Sequence, residues 1–316
     1  MELGEYWERV LREAADYLEA GVIAAKPEPV VSCTFCEDRG WFDPVDVTGL
    51  PFPVGHAYHA VLLPCRNPDC AAGAIARQRY RAARLAKSEL DTRYRDMTFD
   101  SWWHTVSNKR GKYTAFYVVK HYAQAWRTQH RITLRGAWDD MCLRLRLDKP
   151  YTGDDIERNW MVLYGPVGTT KTGLTAAFLN AVLTDGGDAV WHKFDTLIRR
   201  ARAAIDSDGS DTMDSVLQAY AVTPMLILDE FKGETMIANN RDAGTMPPSD
   251  FERRCAELII NTRYNAGLPL LVTTNSDFDG IVRMWGHLIA DRLKTAHWIP
   301  VMGENERPTP PELEAI

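Results

Sequence analysis

The stretch from Trp160 to Leu174, "WMVLYGPVGTTKTGL", limits the possible folds more than any other part of the chain. "WMVLY" reads as a short buried strand, and a helix is expected from Lys171 to Leu183. Between them Gly165, Pro166, Val167, Gly168, Thr169, Thr170, Lys171 and Thr172 spell the phosphate-binding pattern G-x-x-x-x-G-K-[ST] with one letter changed. Thr170 stands where the pattern has glycine. A strand that turns into a helix this way points the backbone N–H groups of Val167 to Thr172 at a phosphate, with Gly173 in the first helical turn. Lys171 would reach the β- and γ-phosphates of ATP, and the Thr172 hydroxyl would ligate Mg²⁺. Glycine before the lysine gives freedom at φ and adds no bulk. Threonine there is stiffer, so the expectation is ATP binding with slower or weaker turnover.

Downstream, strands and helices alternate. "DAVWHKF" is a strand, and "DTLIRRARAAID" is a helix capped by Asp195. "MLILDE" is a buried strand, and "SDFERRCAELIINTRYNAG" is a helix with Ser249 or Asp250 as N-cap and Gly267 past its end. "LPLLVTTNS" and "WIPVM" are further strands. This alternation predicts an α/β fold: a parallel sheet with helices on both faces. Ligands of such sheets bind at the carboxyl ends of strands. About 60 residues after the loop, Asp229 and Glu230 end one strand, and Asn275 ends another. Asp229 would hold Mg²⁺ and Glu230 would activate the attacking water as general base. Asn275 would hold that water or touch the γ-phosphate. On its own, Asn275 is no more than a common turn residue.

These residues carry a resemblance. "LYGPVGTTKTGLTAAFLNAV", "VWHKFDTLIRRARAA", "INTRYNAGLP" followed by "LLVTTN", and "GHLIADRL" resemble the AAA+ ATPase core of the DnaC/DnaI helicase-loader and IstB transposition-ATPase group. The resemblance implies an AAA+ P-loop core without a C-terminal lid and self-association into an ATP-dependent oligomer. It implies that Arg292 acts as an arginine finger in a neighbouring subunit. Arg263 is a second candidate for reaching nucleotide across that interface, and a surface salt bridge is the alternative for either arginine. Upstream, "RYRDMTFDSW" resembles the family's linker and would line one side of the adenine pocket.

Of the six cysteines, Cys33-x-x-Cys36 and Cys65-x₄-Cys70 form two pairs with 28 residues between them. In a chain expected to be cytoplasmic, clustered cysteines read as metal ligands before disulfides. Two thiolate pairs can close a tetrahedral Zn²⁺ site that staples a proline-rich segment lacking a large core. His56 and His59 lie between the pairs and are alternative ligands. A redox CxxC fits less well, because no thioredoxin-like βαβ unit surrounds it. Cysteine motifs ahead of the core also resemble some helicase loaders, whose N-terminal region docks on the helicase.

The resulting division is an N-terminal helix and cysteine module for partner docking over residues 1–75, then a basic connector and linker over 76–112. The ATPase domain covers 113–303, with its P-loop core from 160, and a mobile tail covers 304–316. Residues 128–158 read as an insertion. Charge is uneven: residues 71–150 hold 17 Lys/Arg against 7 Asp/Glu, although the whole chain carries −6. A basic surface or a solvated helix face both explain this. Arg79-Tyr80-Arg81 and Arg93-Tyr94-Arg95 are candidates for stacking bases of single-stranded DNA. No apolar run reaches the roughly 18–20 residues that span a bilayer.

The function expected first is helicase loading, with a hexameric replicative helicase and single-stranded DNA as partners. A transposition helper of the IstB type and a nucleotide-switch adaptor with weak hydrolysis are the alternatives.

Overall fold

Trp160 to Tyr164 form the strand β3 of a five-stranded parallel sheet. The computed structural model describes residues 33–34, 36–42, 62–65, 67–106, 109, 111–128, 134–145, 159–206, 213–232 and 247–303. The expected N-terminal helix, His56, His59 and the tail 304–316 lie outside the described residues. In chain order the elements begin with β1 (Trp41–Phe42), β2 (Leu63–Pro64), α1 (Ala71–Lys87) and a 3₁₀ turn (Thr92–Tyr94). Next come α2 (Phe99–Thr105), α3 (Tyr113–Thr128), α4 (Leu134–Leu145), β3, α5 (Lys171–Thr184), β4 (Val190–Lys193) and α6 (Phe194–Asp206). The chain continues through α7 (Met213–Ala221), β5 (Leu226–Phe231), α8 (Asp250–Ala266), β6 (Leu270–Thr274), α9 (Phe278–Trp285), α10 (His287–Lys294) and β7 (His297–Pro300).

The sheet order is β4-β5-β6-β3-β7. Register brings the strand ends level: Tyr164 pairs with Thr274, and Lys193 with Asp229. Both faces of β3 are buried, as expected of a parallel strand covered on both sides. Met161 and Leu163 pack with residues of α2, α3, α4 and α5, whereas Trp160 and Val162 pack with residues of α6 to α10. The predicted α/β sheet with helices on both faces is therefore what forms. Within α8 the N-cap is Ser249, reciprocated by Glu252 in a capping box, and Gly267 ends the helix at φ 63°. Helix α6 starts one residue earlier than expected, at Phe194, which leaves Asp195 inside its first turn.

The basic segment is built into this core. On α1, Leu85 is buried, and Arg84 pairs with Asp188 at 2.6 Å. Tyr80 accepts a hydrogen bond from Arg84 Nε at 3.1 Å and meets Trp41 edge-on, so its ring is taken up in packing and is not presented to a base. Part of the stretch read as an insertion is helix α4, whose Trp138 is buried against His297.

Arg263 is a correction to the expectation that it contacts nucleotide. It is fully buried, and its guanidinium donates to the carbonyls of Tyr220, Ala221, Thr223, Pro224 and Pro269. It ties the end of α7 to the turn before β6 and cannot reach a neighbouring subunit's nucleotide. Arg263→Met is expected to lower unfolding stability by on the order of 3 kcal/mol, since several carbonyls lose their partner in the interior. Urea unfolding checks this. Wild-type stability with lost turnover would restore the nucleotide role.

Candidate nucleotide site and cysteine cluster

The carboxyl ends of β3, β5 and β6 meet in one cleft lined by Val167 to Thr172, Glu230, Thr273, Asn275, Arg93 and Tyr94. Gly165 opens the loop where a Cβ would run into the Val301 carbonyl, so the chain there has room only for glycine. Lys171 begins α5, and its Nζ donates to the carbonyls of Gly165 and Pro166, each at 2.8 Å. The Thr169 hydroxyl donates to the Pro166 carbonyl at 3.0 Å, which fastens the loop on itself. Gly173 does not face the cleft: a Cβ there would come within 3.0 Å of Trp102.

Asp229 is fully buried on β5. Thr172 Oγ donates to one of its oxygens at 2.9 Å and Thr273 Oγ to the other at 2.6 Å. Burial pushes its carboxyl up to about 6, opposed first by the Thr273 hydrogen bond. A buried carboxylate beside a hydroxyl at the loop's helix is an oxygen donor set that suits a hard divalent cation, so Thr172 and Asp229 fit Mg²⁺. Glu230 differs: its side chain is about half exposed, and its backbone takes φ 55° at an irregularity in the β5–β6 ladder. Its N–H donates to Thr273 Oγ at 3.0 Å, and its carboxylate pairs with Lys193 at 3.1 Å. A left-handed φ in a non-glycine residue at a strand end turns the side chain out of the sheet and into the cleft.

Sequence reasoning did not single out Thr273 or Lys193. The signal for Thr273 was the first of the two threonines in "VTTN", two residues before Asn275. From the linker, Arg93 and Tyr94 line the cleft, and Asn180 on α5 donates to the carbonyls of Tyr94 at 3.2 Å and Met97 at 3.0 Å. Arg93 in turn lies 4.6 Å over the Tyr94 ring. Arg292 is not among the residues lining this cleft. On α10, its guanidinium stacks over Tyr264 at 4.3 Å, and its Nε donates to Asn261 at 3.3 Å.

The second cluster lies at the other end of α1. Cys33, Cys36, Cys65 and Cys70 are all buried, and their sulfurs lie within 4.8 Å of one another. The Cys33–Cys65 separation is 3.8 Å and the Cys36–Cys70 separation 3.6 Å. Disulfide sulfurs would be about 2.05 Å apart. A tetrahedral zinc with arms of about 2.3 Å has sulfur–sulfur edges of roughly 3.8 Å. The donor set therefore suits zinc. Strands β1 and β2 pair antiparallel and carry the knuckle, in which Glu37, Asp38 and Gly40 all take positive φ. Cys70 is also the N-cap of α1, its sulfur accepting the Gly73 N–H at 3.1 Å.

No family model matches the chain, and no curated protein matches it. Solved structures it is similar to include helicase loaders and replication initiators. The DnaC helicase loader shares 16% identity over 67% of this chain and 100% of that one, with a TM-score of 0.47. DnaI shares 16% over 70% and 95%, with a TM-score of 0.45. The replication initiator DnaA bound to AMPPCP and single-stranded DNA shares 15%, covering 69% of this chain and 53% of that one at a TM-score of 0.47. What the cleft can do follows from its own residues. Among the described residues no helix is long and apolar enough to cross a membrane.

Proposed function

We propose that the chain is an ATPase that binds Mg·ATP in the cleft, self-associates, and helps place a hexameric replicative helicase on single-stranded DNA. The ATPase reading is carried by one observation. The loop 165–172, Asp229 with Glu230, and Asn275 converge at the level ends of adjacent strands. Backbone N–H groups of the loop bind the phosphates, and Lys171 gives up its loop carbonyls to take the β- and γ-oxygens. Thr172 and Asp229 hold Mg²⁺, which neutralises charge on the phosphates when bound. Glu230 draws a proton from the attacking water, and Asn275 orients that water. Tyr94 and Arg93 wall the cleft on the side from which the base enters. Arg292, which lines no part of its own cleft, acts on the nucleotide of a neighbouring copy.

Helicase loading is supported by the motif resemblance and by the cysteine module ahead of the core. That module, with Zn²⁺ on Cys33, Cys36, Cys65 and Cys70, is the helicase-docking part. A nucleotide switch with weak hydrolysis is favoured by one feature only, the left-handed Thr170. Two measurements test the reading. ATP turnover is expected in the wild type and its loss in Lys171→Ala; turnover in neither leaves the switch. Co-purification with a hexameric helicase is expected, and capture of a transposase in its place sinks the loader.

A further inference from the structure

Thr170 takes φ 68° and ψ 22°, a left-handed conformation that glycine adopts freely and a β-branched residue resists. This is the position where the loop pattern has glycine, and the conformation explains why. The chain nevertheless needs that backbone, because Thr170 turns the loop into α5. Two hydrogen bonds hold it there. One is internal, from the Thr170 hydroxyl to the Thr169 carbonyl. The other comes from α2: Trp102 Nε1 donates to the Thr170 carbonyl at 3.0 Å, in addition to the helical bond from Leu174 N–H at 3.1 Å.

Trp102 is itself immobilised. It is buried, and its ring lies nearly parallel to Phe116 at 5.5 Å, with an interplanar angle of 7°. Its edge abuts Gly173, where no Cβ fits without displacing the indole. Helix α2 is anchored by the reciprocal capping of Thr98 and Ser101. The peptide joining Thr170 to Lys171 is planar and trans, so its carbonyl and the Lys171 N–H point in opposite directions. Fixing the carbonyl from behind therefore aims the Lys171 N–H forward, towards the cleft.

We propose that Trp102 is a positioning residue of the nucleotide site. Its indole N–H locks the Thr170 carbonyl and so holds the phosphate loop in a form that glycine would have adopted unaided. The inference rests on the ATPase reading of the cleft. Trp102 touches no reacting atom; it acts through the peptide between Thr170 and Lys171.

A double-mutant cycle tests it, read by titrating a fluorescent ATP analogue in Mg²⁺ into the full chain. Trp102→Phe keeps a ring for the Phe116 stack and removes the N–H. It is expected to weaken binding roughly tenfold in the wild-type background. With Thr170→Gly also present, the same change is expected to cost less than about threefold, because glycine holds the turn without the fastening. A side chain that merely fills the core would cost the same in both backgrounds, and that equality overturns the proposal. If Trp102→Phe does not fold, Phe116→Leu replaces it: the N–H stays but the stack that aims it is gone. Its loss of affinity should likewise shrink beside Thr170→Gly, and an equal loss overturns the proposal. A folded wild type that fails to take up the analogue defeats the ATPase reading and this inference together. A wild type that binds while Lys171→Ala does not separates the two.

Discussion

Glu230→Gln is expected to bind ATP with wild-type affinity and to hydrolyse it at least a hundredfold more slowly. The expectation follows from the different environments of two adjacent acids. Asp229 is sealed in the sheet and occupied by the hydroxyls of Thr172 and Thr273. Its oxygens are already engaged by these hydroxyls, and in the proposed site they serve to hold Mg²⁺. Glu230 is turned outward by its φ of 55°, and its carboxylate stands at the cleft wall beside Asn275. A general base contributes about 10²–10⁴ in rate, and an amide of the same shape cannot take the proton. Binding should survive because, in the proposed site, loop N–H groups and Lys171 hold the phosphates while Glu230 acts on the attacking water. The Lys193–Glu230 pair is half exposed, and pairs of that kind are worth little to stability. The variant should therefore melt like the wild type. Turnover measured with saturating ATP and affinity measured by titration should separate cleanly. A parallel loss of affinity would make Glu230 a binding residue and move the base elsewhere.

Much of this site was legible before the fold was known, and for a physical reason. A strand that must stop, turn and become a helix leaves a local signature, and so does an acidic or amide residue at the end of an apolar run. Lys171, Thr172, Asp229, Glu230 and Asn275 all carry that signature. What brings them together does not. Nothing local shows that β6 lies between β3 and β5, the arrangement that places Asn275 beside both the loop and Glu230. Helices α7, α9 and α10 were also not foreseen. Each has only eight or nine residues, too short to stand on propensity and formed because their apolar faces pack on the sheet.

The two misread basic–aromatic residues share a cause. Arg263 and Tyr80 have side chains that suit nucleotide or base contacts, but their partners come from distant segments. Carbonyls from residues 220–224 and Pro269 claim the arginine, and Trp41 with Arg84 claims the tyrosine. Thr170 is the reverse case. Its departure from the pattern was visible, yet what offsets it, an indole N–H 68 residues upstream, was not.

Cys70→Ser is expected to strip the protein of zinc and to unfold the segments around the cluster, while leaving the ATPase cleft in place. Cys70 has two roles that this substitution separates. As N-cap of α1 it accepts the Gly73 N–H, and serine does that at least as well. As a thiolate it would close the tetrahedron with Cys33, Cys36 and Cys65, and a serine hydroxyl does not replace it there. Any loss of order therefore reports the metal and not the helix cap. The loss should be large, because among the described residues the cluster's own core is little more than the four sulfurs with Ala72 against them. Structural zinc supplies folding free energy of about 10–16 kcal/mol in small peptides, far more than such a core can. The effect should stay local. The ribbon leans on the turn after α5, where Gly186 faces Pro64 and Arg77, well away from the loop and Glu230. ATP affinity should change by less than about threefold, as expected when sites share no partners. Equimolar zinc in the purified wild type, its absence in the variant, and faster amide exchange confined to residues 36–42 and 63–74 form the expected result. Wild-type protein that contains no zinc, and keeps its exchange protection after chelation, refutes the metal site.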